Sequence, residues 1–347
     1  MNPGSASAPD MGGSRAGASA EVRRAVSRIR LGSAPDSWGV WFPDDAKQVP
    51  WSRFLDELAR AGYHWLELGP HGYLPTDPAQ LADELARRDL EVSGGGVFGA
   101  LHRASRWGED VEEARKVAAM VRAMGARYVV YLPELYRDLG GAFTDAPALV
   151  AEQWRLLLTR MTQMGRMLRD DYGVTLVFHP HADSHVGTQD EVERFLDGTD
   201  SDAVSLCLDT GHISYCGGDN LALIQRFGSR IGYVHLKQVD MAVLAQVRAQ
   251  QLSFAEAVRL GVMCEPPSGV PKMEPLLQAL GALDTSLFAI VEQDMYPCGP
   301  DAPFPIATRT RRYLWSCGLE PASAPRGRSA PGVPRPDHRP DSHPRRT

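Results

Sequence analysis

Ser205-Leu206-Cys207-Leu208-Asp209-Thr210-Gly211-His212 is a short apolar run that stops on a carboxylate. Gly232-Tyr233-Val234-His235-Leu236-Lys237 repeats the pattern and stops on an imidazole. Ala289-Ile290-Val291-Glu292-Gln293-Asp294 repeats it once more on a second carboxylate. Upstream, Val174-Thr175-Leu176-Val177-Phe178-His179-Pro180-His181 ends on two histidines. Runs that are apolar on both faces read as buried parallel strands. Four consecutive strand ends carrying His, Asp, His and Glu are what a divalent-metal site at the C-terminal mouth of a parallel barrel requires.

Outward from these strands one unit recurs: a helical stretch, a glycine or turn, then a β-branched run. Phe54, Leu55, Leu58 and Ala61 mark a helix face that stops at Gly62, and Trp65-Leu66-Glu67-Leu68 follows. Val111, Ala114, Val117, Ala118 and Val121 mark another, stopped at Gly125 before Tyr128-Val129-Val130-Tyr131-Leu132. A third helix ends near Tyr172-Gly173 and runs into Val174. Glycine just past the last turn is the usual helix stop. Candidate strands near residues 31–34, 65–68, 91–97, 128–132, 174–179, 204–208, 231–235 and 287–291 alternate with helices at the spacing of βα units. Eight such units predict an α/β chain folded as a single (β/α)8 TIM barrel over residues 31–317, not an open doubly wound sheet. Gly94-Gly95-Gly96 lies inside a strand pattern, and no dinucleotide or P-loop motif opens a helix, so nucleotide cofactors are not expected. The stretch Asp240 to Lys272 is long for a βα loop and holds a helical piece, Phe254 to Leu260. It reads either as a lid over the catalytic end or as a structural insertion.

With 347 residues, 43% of them hydrophobic and 23% charged, the chain can bury a large core. It has no apolar run of about 18 residues, so no membrane span is expected. Residues 1–30 begin Gly/Ser/Ala-rich without the apolar stretch of a secretory signal, and residues 318–347 are Pro/Arg-rich; both read as disordered tails. Cys207, Cys216, Cys264, Cys298 and Cys317 are scattered without a C-x-x-C pair, which fits a reduced, cytoplasmic setting. Residues 1–30 carry +3 and residues 321–347 carry +4 against −6 overall, so the body carries −13. An acidic body argues against nucleic acid as the partner.

The candidate site follows from chemistry at the strand ends. Asp209 closes an apolar strand, where an unpaired carboxylate costs several kcal/mol, so it is a metal ligand or a helix N-cap. His235 and Glu292 end their strands in register with it. His179 and His181 both point inward if the strand keeps its period of two, and either completes the set. His185 lies further out as a mouth residue. Lys237, two residues beyond His235, either assists proton transfer or pairs with Glu292 or Asp240. Glu67 and Glu134, at the ends of the second and fourth strands, are candidates to contact substrate hydroxyls, and Trp38 is a candidate pocket wall or a core residue.

At these residues the chain resembles the xylose-isomerase-like barrel family of sugar-phosphate isomerases and epimerases, and within it the branch of inosose (2-keto-myo-inositol) dehydratases. The resemblance covers roughly residues 31–316. It is carried by Ala34-Pro35 with Trp38, by His179-Pro180-His181, by Leu208 to His212, by Val234 to Lys237, and by Val291 to Asp294. His179 stands where the epimerases carry Glu, which tells against a two-glutamate epimerisation shuttle. The middle residue of the dehydratase His triplet is here Pro180, and the Asp240 to Lys272 segment departs from the family's sequence.

The resemblance implies a divalent metal, Mn2+ or Co2+ with Mg2+ as a third choice; mixed N/O ligands suit the first two on physical grounds as well. It implies a lyase that dehydrates a keto-inositol or related polyhydroxy ketone through an enediolate. Asp209, His235, Glu292 and one of His179 or His181 hold the metal in this reading. Glu292 or His181 is the base, and Lys237 or His212 the acid. The second expectation is a sugar or sugar-phosphate isomerase or epimerase. The partner is a small polyol or keto-sugar, with homo-oligomers common among such barrels. An abasic-site endonuclease of the same barrel type needs further His ligands and a basic groove, neither of which is evident, and a catalytically silent metal-binding protein is the remaining class.

Overall fold

The structure, a computed structural model, describes residues 26–319. Eight parallel strands close into one barrel: β1 (Ile29–Ser33), β2 (Trp65–Glu67), β3 (Glu91–Gly99), β4 (Tyr128–Pro133), β5 (Thr175–Phe178), β6 (Val204–Asp209), β7 (Ile231–Leu236) and β10 (Leu287–Val291). The strands pair in sequence order, and β10 closes on β1. All eight expected strands are present, within a few residues of where the pattern puts them. β1 begins at Ile29, inside the stretch expected to be tail, because Ile29 and Arg30 pair with Leu287 and Phe288. Residues 26–28 and 318–319 were also expected to be tail; Val26 and Leu319 are instead buried in the core, and Arg28 pairs with Asp284. Residues 1–25 and 320–347 lie outside the described residues.

Helices follow the strands for the reasons the sequence contains. In helix Trp51–Ala61 the stripe Phe54, Leu55, Leu58 and Ala61 is buried, and Gly62 at φ 88° accepts the left-handed turn that ends it. Gly173, at φ 68°, ends helix Ala151–Tyr172 in the same way. The apolar side of these helices and the outward strand residues form the large core between the two layers. Inside the barrel a smaller set, Ala34, Val130, Val177, Cys207, Tyr233 and Ile290, fills the lumen. Tyr233 finds a partner for its buried hydroxyl in Ser93, 2.7 Å away. The five cysteines are free thiols. No described helix is long and apolar enough to cross a membrane.

The segment after β7 forms a small layer of its own. β8 (Gln238–Val239) pairs antiparallel with β9 (Met263–Cys264), and helices Met241–Gln250 and Phe254–Arg259 lie between them. The first of these helices has no counterpart in the sequence-based expectation. Leu244, Val247, Phe254, Ala257, Val258 and Met263 give the segment its own apolar cluster, packed against Trp41 and Tyr215. The segment is therefore a folded insertion beside the barrel mouth.

Candidate metal centre

Parallel register brings the strand ends level. Asp209 pairs with His235 across β6 and β7, and His235 with Ile290 across β7 and β10. The Glu292 amide then donates to the Leu236 carbonyl, and the His179 amide to that of Tyr131. The result is a buried group, His179, Asp209, His235 and Glu292, in which one donor atom from each lies within 4.8 Å of the others. His179 Nε2 is 3.2 Å from Asp209 Oδ2. His235 Nδ1 is 3.0 Å from Glu292 Oε2 and 3.7 Å from Asp209 Oδ2.

His235 Nδ1 is buried without a hydrogen-bond partner and faces both carboxylates. Burial works against the imidazolium, but Cys207, Glu292 and Glu67 raise its pKa well above the ordinary histidine value, so a cation bound here takes the place of that proton. The other nitrogen of His235, Nε2, lies 3.0 Å from Glu67 Oε2. A carboxylate behind a histidine is the usual support of a metal-ligating imidazole, fixing tautomer and ring direction. Glu67 thus grips His235 and is 3% exposed, which corrects its expected role on substrate hydroxyls. Of the two histidines left open by the sequence, His179 joins the group. His181 sits beyond it with Nδ1 2.6 Å from the Ala182 carbonyl and its ring 3.8 Å from that of His212.

Lys237 reaches into the same group. Its Nζ lies 3.3 Å from Asp209, 3.1 Å from Glu292 and 2.8 Å from Asp294, and not against Asp240, which caps helix Met241–Gln250. Thr210 clamps the Lys237 backbone, accepting from its amide and donating to its carbonyl. Gly211 permits this approach, since a Cβ there would lie 2.6 Å from Lys237 Cβ. Asp209 also caps the turn that follows it, its Oδ1 accepting from the His212 amide at 2.7 Å, which leaves Oδ2 facing His179 and Lys237. His212 lies 3.3 Å from Lys237 Nζ and is fully buried.

These contacts set the protonation states. Burial raises the Glu292 carboxyl, but His235 and Lys237 outweigh it and hold the group down at about 2. Burial opposes the Asp209 charge as well, and Lys237 and His212 bring it well below the carboxylate range. For Lys237 burial works against the ammonium, and Asp209, Asp294 and Glu292 more than restore it. Burial together with His179 pushes His181 down to about 3, and burial with His181 and Lys237 pushes His212 well below its ordinary value; both rings are neutral. The arrangement is two ionised carboxylates, Asp209 and Glu292, with a charged Lys237, a charged His235 and the two neutral imidazoles of His181 and His212 beside them.

Next to the group, reached through His181 and Asp294, opens a cleft of about 620 Å³ whose lining includes Asp36, Gly96, His181 and Asp294. Glu134 lines its wall, 2.7 Å from Arg103. Two other expected contacts are corrected. Trp38 is 0% exposed, donates from Nε1 to Glu57 at 2.9 Å and packs edge-on against Phe54; it is a core residue, and Trp41 takes the cleft position. His185 is buried outside the cleft lining, with Nε2 2.9 Å from the Ala146 carbonyl and its ring 4.4 Å from His102. Asp36 and Asp294 were not expected at the cleft. Both carry the signal used elsewhere, a carboxylate just past a strand end, after β1 and β10. Phe254 roofs the site from the inserted segment, its ring 4.9 Å from those of His181 and His212.

A family model described as xylose isomerase-like TIM barrel matches residues 55–310. An inosose dehydratase of Geobacillus thermodenitrificans is 29% identical over 300 residues, 84% of this chain and 99% of that one. An inosose dehydratase of Lacticaseibacillus casei is 30% identical over 301 residues, 85% of this chain and 99% of that one. Among solved structures, that of the IolI protein with a bound zinc atom superposes with a TM-score of 0.64 at 17% identity, over 83% of this chain and 98% of that one. That likeness concerns the fold.

Proposed function

The chain belongs to the xylose isomerase-like TIM-barrel family, and on that premise we propose that it is a metal-dependent dehydratase of a keto-inositol. The observation that carries the reading is the buried convergence of His179, Asp209, His235 and Glu292 at four strand ends. The full-length similarity to inosose dehydratases supplies the substrate class. Two imidazoles, two carboxylates and a supporting Glu67 fit a divalent ion, and the mixed donor set favours Mn2+ or Co2+ over Mg2+. When bound, that ion supplies Lewis-acid polarisation of the substrate ketone.

The remaining work belongs to the chain. Glu292, held ionised, takes the α-proton; His181, neutral and lining the cleft, is the other base in reach of it. The C–H pair moves into a carbon–carbon double bond and the carbonyl π pair onto oxygen, giving the enediolate; as the carbonyl re-forms, the double bond shifts to the β carbon and the β C–O bond breaks. Lys237, held charged and backed by His212, protonates the departing hydroxyl, which leaves as water. The resulting enol tautomerises to a dione. General acid–base assistance of this kind contributes about 10²–10⁴-fold. The roof carrying Phe254 limits water around these charges. Five free thiols suit a cytoplasmic setting.

The test is product analysis of the Mn2+-loaded protein with 2-keto-myo-inositol. Loss of one water and appearance of a dione chromophore are expected, and Glu292→Gln abolishes both while keeping the wild-type circular dichroism spectrum. Absence of dione with solvent deuterium entering a ketose would make the protein an isomerase or epimerase.

A further inference from the structure

The cleft is larger and more apolar than a free keto-inositol requires. A six-membered hydrocarbon ring fits a cavity of about 150 Å³, and six oxygens counted at the ~30 Å³ that water takes in the liquid bring a polyhydroxylated ring to about 330 Å³. The cleft measures about 620 Å³. It falls within the roughly 300–1,000 Å³ of sites that enclose drug-sized ligands. A keto-inositol seated over the metal centre, among Asp36, His181 and Asp294, leaves close to half of that volume toward the rim.

Beside polar groups such as Glu134, Asp138 and Thr144, the cleft carries a broad apolar lining. Trp41, Phe42, Phe98, Leu132, Leu139 and Phe254 line the cleft. Phe98 is 50% exposed and Leu139 38% exposed, so two large apolar side chains face solvent in the mouth of a site for a polar ring. Large apolar side chains left exposed in the lining of one groove point to a binding region. Trp41 is held rigidly for this purpose, stacked on Tyr296 at 5.1 Å and parallel to Phe254 at 6.4 Å. The Arg103 cation on the same wall is committed elsewhere. Arg103 pairs with Glu134 and Asp145, and Arg137 lies over Phe143 and donates to the Gln251 carbonyl. Arg137 keeps a buried Nε without a partner.

From this we infer that the substrate is a keto-inositol carrying an apolar substituent, an aryl or alkyl group joined through a ring oxygen, with the polyol over the metal centre and the substituent against Phe98, Leu139 and Trp41. The inference rests on the dehydratase reading and narrows its substrate class. An aromatic group placed there exchanges water for two exposed side chains of its own kind, gaining through burial and edge or stacked ring contacts.

The experiment compares kcat/KM of the Mn2+-loaded protein for 2-keto-myo-inositol and for its regioisomeric mono-O-benzyl ethers, with the O-methyl ethers as size controls. At least one benzyl ether is expected to exceed the free ketone by tenfold or more while its methyl counterpart does not. In Phe98→Asp the ratio of benzyl ether to free ketone falls toward one. Turnover of the free ketone with every benzyl ether equal or worse overturns the inference and leaves the dehydratase reading intact. Turnover of neither overturns both. A preference for benzyl ethers that survives in Phe98→Asp and in a Leu139→Asp variant overturns the placement of the substituent.

Discussion

Replacing Lys237 with Met removes the one ammonium inside the centre while nearly preserving its shape. Lys237 is 1% exposed, and its Nζ stands 3.3, 3.1 and 2.8 Å from carboxylates of Asp209, Glu292 and Asp294. Unit charges at about 3 Å attract by roughly 5 kcal/mol at an effective dielectric of 20. Part of that is returned because a thioether needs no desolvation of an ammonium. Breaking a buried pair costs about 3–5 kcal/mol in practice, and three acids left facing one another place this site at the upper end. The folded pKa of Lys237 is raised, so its contribution is complete below the unfolded pKa of about 10.4 and fully present at neutral pH. Urea unfolding in the presence of chelator reads the effect as a loss of ~3–5 kcal/mol. Saturating Mn2+ recovers more stability in Lys237→Met than in the wild type, because the ion then offsets carboxylates that the lysine offset before. A loss below about 1 kcal/mol, the size of an exposed pair, would refute the claim that these carboxylates depend on Lys237.

Three further outcomes follow from the geometry. Glu67→Gln weakens Mn2+ binding measured by calorimetry about 10–100-fold, since His235 loses the carboxylate that orients it; unchanged affinity would remove Glu67 from the centre. Trp38→Phe strands a buried Glu57 oxygen and costs about 1–3 kcal/mol of stability while kcat/KM stays at the wild-type value; a hundredfold fall in kcat/KM would return Trp38 to the substrate wall. His102 and His185 are both lowered from the ordinary histidine value by burial. The unfolded chain therefore takes up their protons first. Their contribution is complete above about pH 6.5 and is lost as pH falls below it. The urea midpoint of His185→Gln should fall less steeply than that of wild type below that pH, and parallel curves would show that His185 protonation does not govern acid stability.

The barrel was legible because its signal is local. Each strand is an apolar run, each helix has a buried stripe, and Gly62, Gly125 and Gly173 mark the stops. The strand-end rule also singled out Asp209, His235, Glu292 and the open pair His179 and His181, since closing eight equivalent units brings equivalent positions together; the structure gathers His179 with the first three. What it could not resolve depended on pairings across the chain. Glu67 and His235 are 168 residues apart, and nothing in either strand shows that one grips the other. Trp38 sits in a loop where wall and core look alike; its partner Glu57 decides, and Glu57 lies on a helix face otherwise read only for its apolar stripe. The choice of His179 over His181 turns on where β5 stops, at Phe178, after which Pro180 takes the chain out of the period-two alternation. The helix Met241–Gln250 was missed because it is a short helix without a pronounced apolar face.

The central claim is that His179, Asp209, His235 and Glu292 form one functional divalent-metal centre. The most direct measurement strips the protein with chelator, titrates Mn2+ back, and follows 2-keto-myo-inositol dehydration against equivalents of metal bound. The account predicts no turnover in the stripped protein, full turnover at one equivalent, and loss of both binding and turnover in His235→Ala. Turnover that survives stripping, or that persists in His235→Ala, would contradict it.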